Sequence, residues 1–236
     1  MTPYLPLYAQ VRETLIKRIS AREWAPGTAL PSETALAAEL GVSQGTVRKA
    51  LDSLCADGAL TRAQGRGTFV AEQTVERANF RFFRLTDESG AQVFPELLSQ
   101  DLSRGTATAE EAGALSLAVQ APVHRIDRVR TVGGMPLIHE HITLPVRLFP
   151  RLGQGTLPPN ALYPFYQQSF GISVLRTEDR LTADPATDVL AQRLHVARGA
   201  PLLTSTRVAY DLTDRSVELR ISAFVTEGHG FSVSLR

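Results

Sequence analysis

The stretch "PSETALAAELGVSQGTVRKALDSL" (31–54) leaves a chain very little choice of local fold. Leu36, Ala37 and Leu40 form one apolar stripe, and Val47, Ala50, Leu51 and Leu54 form a second at i, i+3, i+4, i+7. Ser32 is placed to cap the first helix, and Gly41 suits the left-handed position that ends it. Ser43 then stands immediately before the second helix. Its neighbours spell G-x-S-x-G, the nucleophile elbow of serine hydrolases, but that motif needs a strand before the serine. An Ala/Leu/Glu helix precedes it here, and nothing in the sequence selects a partner His and acid. Ser43 therefore reads as an N-cap whose hydroxyl accepts a backbone N–H at Gly45 or Thr46.

The flanking segments extend the pattern. Tyr8, Val11, Leu15 and Ile19 repeat at helical spacing, Pro26-Gly27 forces a turn, and "ALTRAQGRGTFVA" reads as two short strands around a Gly-rich tip. With its apolar stripe turned inward, the third helix exposes Gln44, Gly45, Thr46, Arg48 and Lys49 near its start. In helix-turn-helix proteins that end contacts base edges, and its free N–H groups and positive dipole attract phosphate. Gly45 costs about 1 kcal/mol inside a helix, which a close approach of the backbone to DNA would rationalise. Arg48 and Lys49 taken alone would suit a solvated face; the order helix, turn, helix, hairpin is far more specific.

Charge does not decide the matter. Residues 1–71 hold eight Lys/Arg against six Asp/Glu, within a chain of net charge +1. Hydrophobic residues at 43% and charged residues at 21% suit a globular protein. The start MTPYLPLYAQVRE has no basic region leading into an apolar stretch, and no apolar run approaches a membrane span, so a cytoplasmic location is expected. Cys55 is the single cysteine, which excludes an internal disulfide and a multi-Cys zinc site. No cofactor is expected.

Residues 72–79 (EQTVERAN) are polar, lack a clear period and suit a linker. Beyond them "VHRIDRVRTVGGMPLIHEHITL" (123–144) reads as a hairpin turning at Gly133-Gly134. "NALYPFYQQSFG" (160–171) reads as an Asn-capped aromatic helix, and "DPATDVLAQRLHVARG" (184–199) as a helix capped by Asp184 with Pro185 at its first position. "PLLTSTRVAYD" and "SVELRISAFV" alternate as strands. No internal repeat and no low-complexity tract is visible. The order points to an α+β domain with a mostly antiparallel sheet. Strand parity puts Arg128 and Arg130 on one face with Ile126 and Val132, and Glu140 among Ile138, Ile142 and Leu144. A buried charge needs a partner. Either an Arg–Glu bridge holds the sheet, or the arginines grip a small anion while Glu140 accepts from its hydroxyl or amine groups. His139 and His141 point the other way, and a metal site there would lack a third ligand.

"PLYAQVRETL", "APGTALPSETALAAELGVSQGTVRKALDSLCADGAL" and "RAQGRGTFV" resemble the winged-helix DNA-binding domain of the GntR family of bacterial transcription regulators, without gaps over about residues 4–71. The resemblance implies that Ser32 and Glu33 begin the helix that crosses the DNA backbone. It also implies that Ser43, Gln44, Thr46 and Arg48 meet the operator, and that Gly65, Arg66 and Gly67 form a wing tip in the minor groove. Thr34 and Gln44 stand where the family commonly has Arg, so the operator sequence is not carried over. "RIDRVRTVGGMPLIHEHITLP", "NALYPFYQQSFG" and "PLLTSTRVAYDLTDRSVELR" look like the effector-binding UTRA domain of HutC-type GntR regulators, a chorismate-lyase-like fold, over about residues 80–232. That likeness implies effector contacts at Arg128, Arg130, Glu140, Tyr163, Glu218 and Phe224; Phe224 is often Tyr in the family. The expected architecture is a winged helix-turn-helix over 1–71, a linker over 72–79 and an effector-binding, dimerising domain over 80–236. The expected partners are double-stranded operator DNA, a small anionic metabolite and a second copy of the chain, with no membrane. Two alternatives are a chorismate-lyase-like enzyme fused to a DNA-binding domain and a metal-responsive regulator.

Overall fold

The computed structural model describes residues 5–155 and 157–233. Helix α1 (Leu7–Ser20) packs on α2 (Glu33–Leu40) and α3 (Gln44–Ala56) around Val11, Leu15, Leu36, Val47, Leu51 and Leu54. Gly41 ends α2 in the left-handed region at φ 66°. Ser43 caps α3, its hydroxyl accepting from the Thr46 N–H at 3.2 Å. Strands β1 (Leu60–Ala63) and β2 (Gly67–Val70) pair antiparallel, and an isolated bridge from Ala29 to Phe69 adds a third edge.

Within the segment expected to be a linker, Val75–Phe82 forms a helix, α4, capped by Thr74 onto the Arg77 N–H. Val75, Ala78 and Phe82 fall at helical spacing, but the stripe runs past residue 79, so the polar segment 72–79 alone shows no period. Strand β3 (Leu85–Asp87) then pairs with β10 (His229–Phe231) near the other end of the chain.

The second domain is built on a six-stranded antiparallel sheet in the order β4-β5-β6-β9-β8-β7. Its strands are β4 (Glu96–Thr106), β5 (Pro122–Val132), β6 (Met135–Pro145), β7 (Val174–Pro185), β8 (Pro201–Asp211) and β9 (Ser216–Val225). Helix α5 (Ala109–Ala114) follows β4, and α7 (Asp188–Leu194) follows β7. Helix α6 (Leu162–Phe165) continues as a π-helix over Tyr166–Phe170 and ends at Gly171 in the left-handed region. Two cap assignments change. Asn160 does not cap α6; its amide donates to the Pro95 carbonyl instead. Asp184 and Pro185 belong to β7, whose ladder runs to Pro185 opposite Pro201, and Thr187 caps α7 by accepting from the Leu190 N–H.

The absence of an internal repeat is also corrected. The units β4-α5-β5-β6 and β7-α7-β8-β9 share one topology and meet where β6 pairs with β9. Thr108 caps α5 as Thr187 caps α7. The Ala107 N–H reaches the Ala121 carbonyl at 2.8 Å, and the Ala186 N–H reaches the Ala200 carbonyl at the same distance. Ser116 and His195 both take positive φ after their helices, as do Gln120 and Gly199 before the following strands. Between 107–122 and 186–201 the identical pairs are Ala107/Ala186, Thr108/Thr187, Ala112/Ala191, Leu115/Leu194, Ala118/Ala197, Ala121/Ala200 and Pro122/Pro201, with Arg128/Arg207 and Val129/Val208 further along. These identities are mostly small residues spread over two segments, and they stand out once the fold supplies the alignment.

The domains touch directly. Leu175 and Leu212 pack against the N-terminal core. Gln167 accepts from the Gln73 N–H at 2.8 Å and donates to the Ala71 carbonyl at 3.0 Å. Arg81 of α4 donates to the carbonyl of Asp57, the C-cap of α3, at 2.8 Å and to that of Leu175 at 2.6 Å.

Candidate nucleic-acid interface and buried arginine pocket

The first site lies where α2, α3 and the β1–β2 wing converge. A surface groove of about 430 Å³ runs between them, lined by Ser32, Glu33, Gln44, Arg62, Gly65 and Gly67 among others. Ser32 caps α2 through the Ala35 N–H at 3.1 Å, which puts Glu33 in the first turn. Ser43, Gln44, Gly45, Arg48 and Lys49 are exposed, whereas Val47 between them is buried. A Cβ on Gly45 would meet only the Ser43 hydroxyl, at an ordinary 3.9 Å, so nothing inside the chain requires glycine there. Gly65 (φ 69°) and Gly67 (φ 112°) turn the wing tip, where an L side chain would be strained. Arg66 is exposed between them, its guanidinium 5.8 Å from the Phe69 ring. Lys49 stacks its ammonium 4.2 Å from the Tyr8 ring.

Glu33 organises this face. Its carboxylate accepts from Arg48 Nε at 2.9 Å, from Arg62 Nη2 at 3.2 Å and from Gln44 Nε2 at 3.4 Å. The hydrogen bond from Arg48 is the largest influence holding its pKa below the usual carboxylate value. Arg62 also pairs with Asp52 at 2.7 Å. Sequence reasoning missed Arg62, because a lone arginine on a short strand carries no periodic signal.

The second site is buried under α4 and α6. Arg128 and Arg130 on β5 are almost fully buried, as are Glu140 on β6 and Glu218 and Arg220 on β9. Glu140 accepts from Arg128 Nε and, at 3.1 Å, from Arg220 Nη1. Glu218 accepts from Tyr163 at 3.1 Å, from Tyr166 at 2.7 Å, and from Arg220 at 3.0 and 2.9 Å. Arg207 on β8 pairs with Asp179 at 2.8 Å. Pseudo-symmetry accounts for two of these residues. Arg207 stands in the second unit where Arg128 stands in the first, and Arg220 lies opposite Arg207 as Glu140 lies opposite Arg128. Sequence reasoning missed Arg207 and Arg220; aligning the two units would have found both.

A cavity of about 210 Å³ opens onto this cluster, lined by Arg128, Arg130, Arg207 and Arg220 with Asn160, Tyr163 and Phe83. Of the residues expected to touch an effector, Arg128, Arg130 and Tyr163 line it. Glu140 and Phe224 border a neighbouring void of about 20 Å³ instead. Glu218 is fully enclosed behind the tyrosines. The two readings of the Arg–Glu pair are therefore compatible: the bridge exists, and the arginines it holds face a cavity. Glu140 is occupied by guanidiniums rather than free to accept from a ligand.

Four guanidiniums meet two buried carboxylates, Glu140 and Glu218, and Asp179 on the exposed edge strand, so cations outnumber these anions by one. Glu96 also lines the cavity but stands exposed, where water screens it. Burial pulls the Arg130 pKa down to about 10, and the neighbouring Arg128 and Arg220 outdo part of the help from Glu140. Burial opposes the Glu140 charge as well, but Arg128, Arg220 and Arg130 outweigh it and hold that carboxyl far below its usual range. Burial, with Glu218 behind it, pushes Tyr163 up to about 12.

A larger cleft of about 720 Å³ lies between the domains; much of its polar lining is engaged, although Gln73 Oε1 has no partner among the described residues. There Arg77, Arg81 and Gln92 donate to backbone carbonyls. His139 and His141 both face Asp127, at 3.1 and 3.6 Å. Among the described residues no three His, Cys, Asp or Glu are grouped to hold a metal ion, and no helix is long and apolar enough to cross a membrane.

Comparison with known proteins agrees with this layout. Residues 7–70 match the bacterial regulatory proteins of the gntR family, and residues 93–229 match the UTRA domain. The mannosyl-D-glycerate transport/metabolism system repressor of Escherichia coli (strain K12) is 31% identical over 232 residues, 97% of this chain and 95% of that one. The histidine utilization repressor of Pseudomonas aeruginosa is 30% identical over 211 residues, 84% of this chain and 79% of that one. The crystal structure of PhnF from Mycobacterium smegmatis superposes with a TM-score of 0.55 at 27% identity, covering 96% of this chain and 99% of its own. With a winged helix-turn-helix joined to an antiparallel α+β domain, the chain belongs to the GntR family of bacterial regulatory proteins and carries a UTRA domain.

Proposed function

We propose that this chain is a cytoplasmic transcriptional repressor that binds a palindromic operator as a homodimer and lets go when a small anionic metabolite enters the arginine-lined cavity. Residues 1–71 read DNA, 72–79 join the domains, and 80–236 sense the metabolite and dimerise. The repressors of mannosyl-D-glycerate and histidine metabolism among its relatives support the direction of regulation. Two-fold symmetry of the protein requires half-sites related by the dimer axis. At each half-site Arg48 reads a base, Lys49 neutralises phosphate, the Gly45 backbone approaches the duplex, and the wing tip at Gly65, Arg66 and Gly67 enters the minor groove.

The observation that carries the sensing half is the surplus buried charge facing the 210 Å³ cavity. A ligand can act only through unequal affinity for two states, so the anion must prefer a dimer geometry that misplaces the two readers. A mobility-shift titration with the protein's own upstream DNA, against excess random duplex, tests the first half; no shift below micromolar protein would end it. A thermal-shift screen of sugar phosphates, carboxylic acids and amino-acid catabolites tests the second, repeated on Arg128→Ala/Arg130→Ala. A hit that stabilises both proteins equally would make these arginines structural.

A further inference from the structure

The π-helix that continues α6 grips the N-terminal domain at two separate points. Gln167 makes the first, from a buried position. Its side-chain oxygen accepts from the Gln73 N–H at 2.8 Å, and its nitrogen donates to the Ala71 carbonyl at 3.0 Å. In an extended chain the carbonyl of one residue and the N–H two residues on face the same side, as a parallel neighbour would meet them. One primary amide thus takes the place of a strand residue, and neither a carboxylate nor an alkyl group can copy both bonds. Ala71 still belongs to the head, its own N–H reaching the Ala59 carbonyl at 2.9 Å. Arg22 makes the second point, two residues past the end of α1. It takes φ 60°, uncommon for any residue but glycine. Its guanidinium donates to the carbonyls of Gln167 at 3.3 Å and Gln168 at 3.4 Å, toward the helix end that favours a cation. A Cβ on Gly171 would sit 2.5 Å from Arg22 Nε, so glycine there admits the arginine as well as the left-handed turn. The same helix is rooted in the second domain. Tyr166, next to Gln167, donates to the buried Glu218 at 2.7 Å, and Gln167 also donates to the Ser173 hydroxyl at 2.9 Å. Single π-turns of this kind recur at functional sites.

We infer that this π-helix is the seat that fixes the direction of the reading head, with Gln167 and Arg22 as its positioning residues. This rests on the proposed reading of the head as one of two on a palindromic operator, and it names what sets their spacing. One contact would leave a pivot. Two contacts to separate parts of the head, the chain leaving the wing and the end of α1, oppose rotation. A pair of heads held in fixed directions fits one half-site spacing. Loosened heads reach several spacings, each at a lower effective concentration.

The test uses the full chain and a duplex that the wild type selects from a random-sequence pool. Two base pairs inserted between its half-sites turn them by about 70° and part them by about 7 Å. The wild type should bind the selected duplex about tenfold more tightly than the inserted one. Gln167→Leu/Arg22→Gly removes both contacts and keeps a residue at 22 that tolerates the left-handed backbone. It should bring that ratio to about one, with affinity for a single half-site kept within about twofold, because the reading face is untouched. A wild-type ratio retained in the double variant overturns the seat. So does an equal loss on the single half-site, which would make these residues part of the fold of the head. A wild type that binds both duplexes equally also overturns it, while the operator reading stands. A pool that yields no duplex, or only single half-sites, removes the paired heads and the seat together. Should the double variant fail to fold by circular dichroism, Arg22→Gly alone decides, and an unchanged ratio overturns the proposal.

Discussion

Glu33 places a negative charge on the face proposed to meet DNA, where it holds Arg48 and Arg62. A phosphate would compete with this carboxylate for the same guanidiniums. Glu33→Gln should release both, raise affinity for random duplex, and steepen the salt dependence of binding by about one unit. The ratio of operator to random affinity should fall, because a tethered Arg48 can meet a base edge only in one geometry. Anisotropy titrations over a range of salt measure both quantities; an unchanged slope would mean the guanidiniums already reach phosphate. At this scale the sequence was legible where local rules operate. Ser32, Gly41 and Ser43 announce their capping roles through neighbours three residues away or fewer. Arg62 and Arg220 did not, because what makes them matter is a partner on another element.

Elements were legible in proportion to how much of each is buried on one side. The β5–β6 hairpin shows clear parity because both strands lie inside the sheet. Strand β7 lies at its edge with most residues exposed, so its charged run V-L-R-T-E-D-R-L-T carries no alternation to read. That edge also explains the misplaced cap. Asp184 and Pro185 have the chemistry of a helix start, but the ladder to β8 extends their backbone, and the next residue able to cap is Thr187. Thr187→Ala should therefore cost about 1 kcal/mol of stability. Asp184→Ala should stay within about 0.5 kcal/mol, as exposed substitutions usually do. Urea denaturation of the two variants decides it: the reverse order would return the cap to Asp184.

Across the molecule, α4 connects the cavity to the reading head. Its Val75, Ala78, Asn79 and Phe82 line the arginine pocket, while Arg81 holds the C-cap of α3 and the start of β7. A ligand that shifts α4 must strain or break that clamp. In the wild type, effector and operator affinities should be coupled by about 5–150-fold. Arg81→Ala should keep the thermal stabilisation by effector and lose most of that coupling. Gly58→Ala should do likewise by a different route, since a Cβ there would sit 2.1 Å from Arg81 Nη1 and displace it. Full coupling retained in both variants would exclude the clamp. None of this was legible beforehand, because a polar segment between two domains gives no sign of what its helix will touch. The paired units have a different kind of consequence. They are joined by a single ladder of six residue pairs between β6 and β9, and each unit brings its own arginine, Arg128 or Arg207, to one shared cavity. On the proposed reading of this cavity, ligand preference is thus inherited in two pieces. Recombination between related genes in the stretch encoding 146–159 would exchange half of the proposed site while every strand of the sheet stays whole.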